Sequence, residues 1–127
     1  VELIHTCYRI GEPARSIAFY EALGFEKLRE LPIRDEAVNY FLRVPGTDGP
    51  ELELTFNFGV SSYELGSGYG HIALEVDDLE VTLAKLRGEH GIEPERPPYR
   101  VRESGALICF VRDPDGYRIE LIDASGR

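Results

Sequence analysis

The 127 residues contain no apolar run approaching the ~20 needed to cross a bilayer, which excludes a membrane-spanning helix. From Val1 onward there is no basic-then-apolar leader and no initiator Met, so the start reads as processed or trimmed. Basic residues are scarce: 14 Lys and Arg stand against 23 Asp and Glu, a net charge of −9. Nucleic-acid affinity rests on clustered Lys and Arg, so that partner is excluded as well. Only two cysteines occur, Cys7 and Cys109, in apolar strand-like segments and not in a C-x-x-C pair. They read as buried, reduced thiols of a cytoplasmic chain, with Cys7 as a nucleophile the lesser alternative. The rest is ordinary globular composition, 43% apolar and 29% charged. A chain of this length buries roughly two-thirds of its unfolded surface, so one core needs no disulfide or zinc staple. One compact domain spanning 1–127 is the expectation.

An internal repeat organises that length. In the first half a strand-like run at 4–10 precedes a helix over 13–23. Pro13 suits its first turn, Ile17, Tyr20 and Leu23 can share a face, and Gly24 suits its stop. Short strands are predicted at 26–31, 37–44 and 51–58, punctuated by Pro, Gly and Asp. The second half repeats the order, with a strand at 70–76 and a helix capped by Asp77 or Asp78. Leu79, Leu83 and Leu86 line one face of that helix. Strands at 92–96, 106–112 and 117–123 follow, the last two joined by the turn signal Asp113-Pro114-Asp115-Gly116. The fold class is therefore α+β: two βαβββ repeats, about 1–60 and 68–127, forming a curled mixed sheet. Two helices are too few to cover both faces of a doubly wound parallel sheet.

Side chains alternate along a strand, so each strand sorts into two faces. In the first strand His5, Cys7 and Arg9 oppose Thr6, Tyr8 and Ile10. In the fourth, Glu51, Glu53, Thr55 and Asn57 oppose Leu52, Leu54, Phe56 and Phe58. His71 and Glu75 oppose Ile72, Leu74 and Val76, and Glu120 opposes Ile119 and Leu121. A polar face alone is what any half-buried sheet presents to water. The register between copies adds more. His5 and His71 lie 66 residues apart, each in the first strand of its copy, while Glu53 and Glu120 lie 67 apart in the last. Two neutral imidazoles and two carboxylates form a natural N2O2 set for a divalent metal, with positions left for water or substrate oxygens. His90 reads as a solvated residue of the Gly88–Gly91 turn, and Glu51 and Glu75 as solvated carboxylates, with groups that support the proposed ligands the lesser alternative. Phe56, Phe58, Tyr63 and Tyr69 read mainly as core or interface residues.

At these residues the sequence resembles the glyoxalase I family of the vicinal oxygen chelate superfamily. The likeness runs over nearly the whole chain. It is carried by His5-Thr6 with Arg9, Arg15-Ser16-Ile17-Ala18-Phe19-Tyr20, Leu23-Gly24-Phe25, and Glu53-Leu54-Thr55-Phe56-Asn57-Phe58-Gly59-Val60. It continues through Tyr63-Glu64-Leu65-Gly66, Tyr69-Gly70-His71-Ile72-Ala73-Leu74 and Asp113-Pro114-Asp115-Gly116-Tyr117, then Ile119-Glu120-Leu121. Asp-Pro-Asp-Gly is widespread in the superfamily, whereas the Glu-Leu-Thr-Phe-Asn and Tyr-Glu-Leu-Gly segments are specific to the glyoxalase I branch. The resemblance implies that His5, Glu53, His71 and Glu120 are metal ligands. It further implies a homodimer in which each site takes one His–Glu pair from each subunit. Arg9 and Asn57 match positions that hold the γ-glutamyl end of glutathione, and Arg102 lies near a basic position for the glycyl carboxylate. The compact chain resembles bacterial members that favour nickel or cobalt, with zinc an option.

The implied reaction isomerises the hemithioacetal of methylglyoxal and glutathione to S-lactoylglutathione, a small-molecule detoxification. Glu120 is the leading base and Glu53 serves the opposite face. Another metalloenzyme of the superfamily, such as a methylmalonyl-CoA epimerase, would use the same ligand set but has no call for Arg9 with Asn57. Extradiol dioxygenases typically use two His and one Glu, so the fourth ligand disfavours them. A metal-free binding protein of the bleomycin-resistance type is the alternative outside enzymes, and those lack the complete set.

Overall fold

The structure, a computed structural model, describes residues 1–125. They sort into two compact units, Val1–Glu64 and a second beginning at Leu65. The first contains β1 (His5–Ile10), α1 (Pro13–Ala22), β2 (Glu26–Ile33), β3 (Ala37–Arg43) and β4 (Glu51–Asn57). Its four-stranded sheet runs β1-β4-β3-β2, with β1 parallel to β4 and the other pairs antiparallel. The second contains β5 (Ile72–Val76), α2 (Leu79–His90), β6 (Tyr99–Arg100), β7 (Leu107–Arg112) and β8 (Arg118–Asp123). Its sheet runs β5-β8-β7-β6, again with one parallel pair, β5 and β8. The expected α+β fold of two βαβββ copies, each with a mixed sheet, is what the chain adopts.

Local chemistry explains the elements. Glu12 caps α1 in an extended conformation, its carboxylate accepting from the backbone N–H groups of Ala14 and Arg15 at 3.1 and 2.7 Å. These are donors that no helical carbonyl can reach, and Pro13 behind them has no N–H to satisfy. The buried face of α1 is Ser16, Phe19 and Tyr20, and Ile17 and Leu23 are only half-buried. Tyr20 turns that face inward by meeting Phe19 and Phe25 edge-on at 5.0 and 5.6 Å. Asp78, not Asp77, caps α2 by accepting from Val81 N–H at 3.1 Å. Leu79, Leu83 and Leu86 are buried as the spacing predicts, and Gly91 ends the helix at φ 63°, a conformation that glycine adopts without a Cβ penalty. His90 is the last residue of α2 and not part of a turn, because Gly88 is absorbed into the helix.

The strand expected at 92–96 does not form. Pro94, Pro97 and Pro98 offer no N–H to a ladder, which shrinks the edge strand to Tyr99–Arg100. The segment keeps a backbone bond to β7, Glu95 N–H donating to Phe110 O at 2.8 Å. The β1 face divides as expected: Tyr8 and Ile10 are buried, His5, Cys7 and Arg9 exposed. Cys109 is buried, but Cys7 is exposed, because it shares the polar face of β1. No helix among the described residues is long and apolar enough to cross a membrane.

Candidate active site

Each unit brings one histidine to one glutamate. In the first, β1 and β4 run parallel with Cys7 opposite Glu53, so His5, two residues earlier, projects from the same face. His5 Nε2 lies 3.7 Å from Glu53 Oε2. In the second, Ala73 lies opposite Glu120 in the parallel β5–β8 pair, and His71, again two residues earlier, reaches Glu120 Oε1 at 3.2 Å. His71 sits just before β5, where a strand beginning at Gly70 was expected. The register is identical in the two copies, which the sequence offset had suggested.

The imidazoles are well exposed, at 39% and 36% of their side chains, and the carboxylates are recessed, at 13% and 18%. Open ring nitrogens beside sheltered carboxylate oxygens form a donor set a cation can approach from solvent. Two atoms each about 2.0–2.2 Å from one divalent ion, at angles from octahedral to tetrahedral, lie roughly 2.8–3.6 Å apart. The second pair, at 3.2 Å, falls within that window and fits as a half-set, and the first, at 3.7 Å, lies just beyond it. Among the described residues no group of three or more His, Cys, Asp or Glu side chains suited to an ion forms within the chain.

Further along the same face of the first sheet, Arg9 lies opposite Thr55 and Asn57 ends β4. Asn57 Nδ2 donates to the Tyr63 hydroxyl at 2.9 Å. That bond orients the amide. Between Asn57 and Glu53 a polar chain runs from Cys7 Sγ to Thr55 Oγ1 (3.3 Å) and on to Asn39 Oδ1 (2.8 Å). Arg102 is exposed in a tight turn closed by Gly105 N–H to Arg102 O at 2.8 Å.

Several residues flanking the pairs escape a sequence reading. Glu51 is buried, not solvated, because Arg29 reaches across from β2 and holds it at 2.7 Å. That hydrogen bond keeps the Glu51 carboxyl below its ordinary range. The second unit carries the same bridge with the charges exchanged: Glu95 takes the place of Arg29, and Arg118, two residues before Glu120, that of Glu51. Its shortest contact is 2.9 Å, and Arg118 likewise lowers the Glu95 carboxyl. In both units the guanidinium lies over a phenylalanine opposite the glutamate of the pair: Arg29 over Phe41 at 4.3 Å, Arg118 over Phe110 at 3.6 Å. The repeat offset misses the phenylalanines, which lie 69 residues apart, and only the strand pairing sets each opposite its glutamate. The exchanged charges hide the bridge from any search for like residues.

The Glyoxalase/Bleomycin resistance protein/Dioxygenase superfamily matches residues 2–121. A lactoylglutathione lyase of Salmonella typhimurium is 42% identical over 127 residues, covering 98% of this chain and 93% of its own. Glyoxalase I of Leishmania major, described as trypanothione-dependent, aligns at TM-score 0.80 and 40% identity over 99% of this chain and 88% of its own. Glyoxalase I of Zea mays aligns at TM-score 0.87 and 35% identity over 98% of this chain, which spans 45% of the maize chain. The chain belongs to this superfamily and, within it, to the glyoxalase I (lactoylglutathione lyase) family. Relatives named for that activity weigh against the epimerase and binding-protein alternatives.

Proposed function

We infer that the protein is a lactoylglutathione lyase, isomerising the hemithioacetal of a 2-oxoaldehyde and glutathione to a 2-hydroxyacyl thioester. The observation that carries its mechanism is the equal register of His5–Glu53 and His71–Glu120 in two separate units. Each pair supplies half of an N2O2 set, and a homodimer that joins one pair from each copy completes it. Nickel or cobalt is the favoured ion, with zinc an alternative, since imidazole and carboxylate accept all three. When bound, such an ion supplies a positive charge that stabilises negative charge developing on the two adjacent substrate oxygens.

The protein's own groups do the rest. Glu120 takes the proton from the carbon bearing sulfur, leaving an enediolate, and returns it to the neighbouring carbon, while the hydroxyl proton passes from the first substrate oxygen to the second, so the step balances as an isomerisation. Glu53 serves the opposite face of the substrate. Arg9 and Asn57 hold the γ-glutamyl end. Four steps along the strand lead from Glu53 to Asn57, about 13 Å, a span suited to an extended tripeptide thiol. Arg102 is proposed for the glycyl carboxylate. The free thiols Cys7 and Cys109 suit a cytoplasmic location.

The test is turnover of methylglyoxal with glutathione by metal-stripped protein, reconstituted separately with nickel and with zinc, thioester formation being followed in the ultraviolet. Activity that returns with either ion supports the reading, and full activity without metal overturns it. Glu120→Gln is expected to lose roughly 10²–10⁴-fold in kcat while still binding metal. Near-full turnover would remove Glu120 as the base.

A further inference from the structure

The two His–Glu pairs share more than register. His5 meets the Phe41 ring in a T-shaped contact at 6.0 Å and 72°, and His71 meets Phe110 in the same way at 5.0 Å and 79°. Both phenyl rings are nearly buried, at 6% and 8% exposure, so neither can swing away. On each ring a guanidinium is seated as well, and each guanidinium is itself held by a carboxylate. Each unit therefore contains one fixed stack, carboxylate–guanidinium–phenyl–imidazole, reached through opposite placements of acid and base. The recurrence is of geometry and not of sequence: Arg29 comes from β2 and Arg118 from β8, yet both reach the phenyl ring beside the histidine.

We propose that Phe41 and Phe110 are positioning residues that hold His5 and His71 in the rotamers facing Glu53 and Glu120, and that the Arg29–Glu51 and Arg118–Glu95 bridges fix the rings. The proposal rests on the reading of those four residues as metal ligands. The physical basis is preorganisation. An exposed imidazole is free to turn about two bonds, and confining it before an ion arrives lowers the entropy lost on binding. An edge-to-face partner confines it without competing for the ring nitrogens. A guanidinium over the phenyl face is drawn there by the ring quadrupole and locks the ring in turn. The two stacks differ in tightness, and the differences agree. Where the phenyl lies closer to both neighbours, in the second unit, the His–Glu separation is also shorter, 3.2 against 3.7 Å.

The test measures nickel affinity of the intact protein by competition with a chromophoric chelator, for wild type, Phe110→Leu, Phe41→Leu and Phe110→Tyr. Circular dichroism checks that each is folded. Phe110→Leu is expected to weaken nickel about tenfold, Phe41→Leu less, and Phe110→Tyr, which keeps the ring, little. The visible spectrum of the cobalt-loaded Phe110→Leu protein is expected to shift, a change that loss of packing alone would not produce. Wild-type affinity in both leucine variants overturns the positioning role while leaving the ligand reading intact. A wild-type protein that takes up no nickel overturns the ligand reading and this proposal with it. The two leucine variants lie in separate units, so the outcome does not hang on one of them folding.

Discussion

At the residue scale, the two cysteines show how burial sets reactivity. Cys109 is fully buried on β7, and burial pushes its thiol up to about 11, whereas Cys7 is exposed on β1. Partial burial raises the Cys7 thiol as well, so a small thiol reagent is expected to label one exposed thiol per native chain first, faster as pH rises, and the second only after denaturation. Rapid labelling of both would contradict the buried placement. Asp123 illustrates a structural carboxylate. Its oxygens accept from the Ser125 hydroxyl at 2.7 Å and the Leu79 backbone N–H at 2.8 Å, bonds that hold its carboxyl below the ordinary range. A lowered folded value means the carboxylate contributes stability fully above the unfolded value, near 3.9. That contribution disappears as pH falls through the lowered folded value. Urea unfolding at pH 6 and pH 3 should show wild type losing more stability between them than Asp123→Asn. Equal losses would assign the acid sensitivity to other groups.

At the scale of elements, the turn from β1 into α1 depends on one glycine. A Cβ at Gly11 would stand 2.0 Å from the backbone oxygen of Ser61, beyond the end of β4, and a backbone atom cannot swing aside. Gly11→Ala is expected to cost about 1–3 kcal/mol, visible as a lower denaturant midpoint. An unchanged midpoint would show that the loop after β4 yields freely. Boundaries and faces of elements were legible wherever local chemistry sets them. Pro13 started α1, one of the two aspartates offered, Asp78, capped α2, and the leucine spacing chose the buried face of α2 correctly. What failed to read locally was set by partners or by missing donors. In α1 the ring contacts of Tyr20 moved the buried face to Ser16, Phe19 and Tyr20. Three prolines removed the strand expected at 92–96. Glu51 looked solvated until Arg29, 22 residues away in sequence, closed over it.

For the molecule as a whole, the central prediction is that bound metal acts on stability as well as on turnover. An ion that binds only the folded state adds RT ln(1 + [M]/Kd), about 2.7 kcal/mol at a hundredfold excess over Kd. Stripping with a chelator is expected to abolish turnover and lower Tm, and nickel to restore both. A Tm indifferent to nickel would argue against a tight shared site. Sedimentation of the holoprotein is expected to give a dimer, and an active monomer would overturn the sharing of pairs between copies.

The sequence by itself determined the repeat, the alternation that put His5, Glu53, His71 and Glu120 on polar faces, and the family, because periodicity and residue type are local properties. Tertiary structure alone decided which side chains meet. Strand order placed β4 beside β1 and β8 beside β5, and so set each imidazole against its carboxylate. It also placed Arg29 and Glu51, and in reversed roles Glu95 and Arg118, around the two phenylalanines. The reason is that an ion pair needs only opposite charges at the right separation. Either partner can carry either sign, and only the folded register shows which strands supply them.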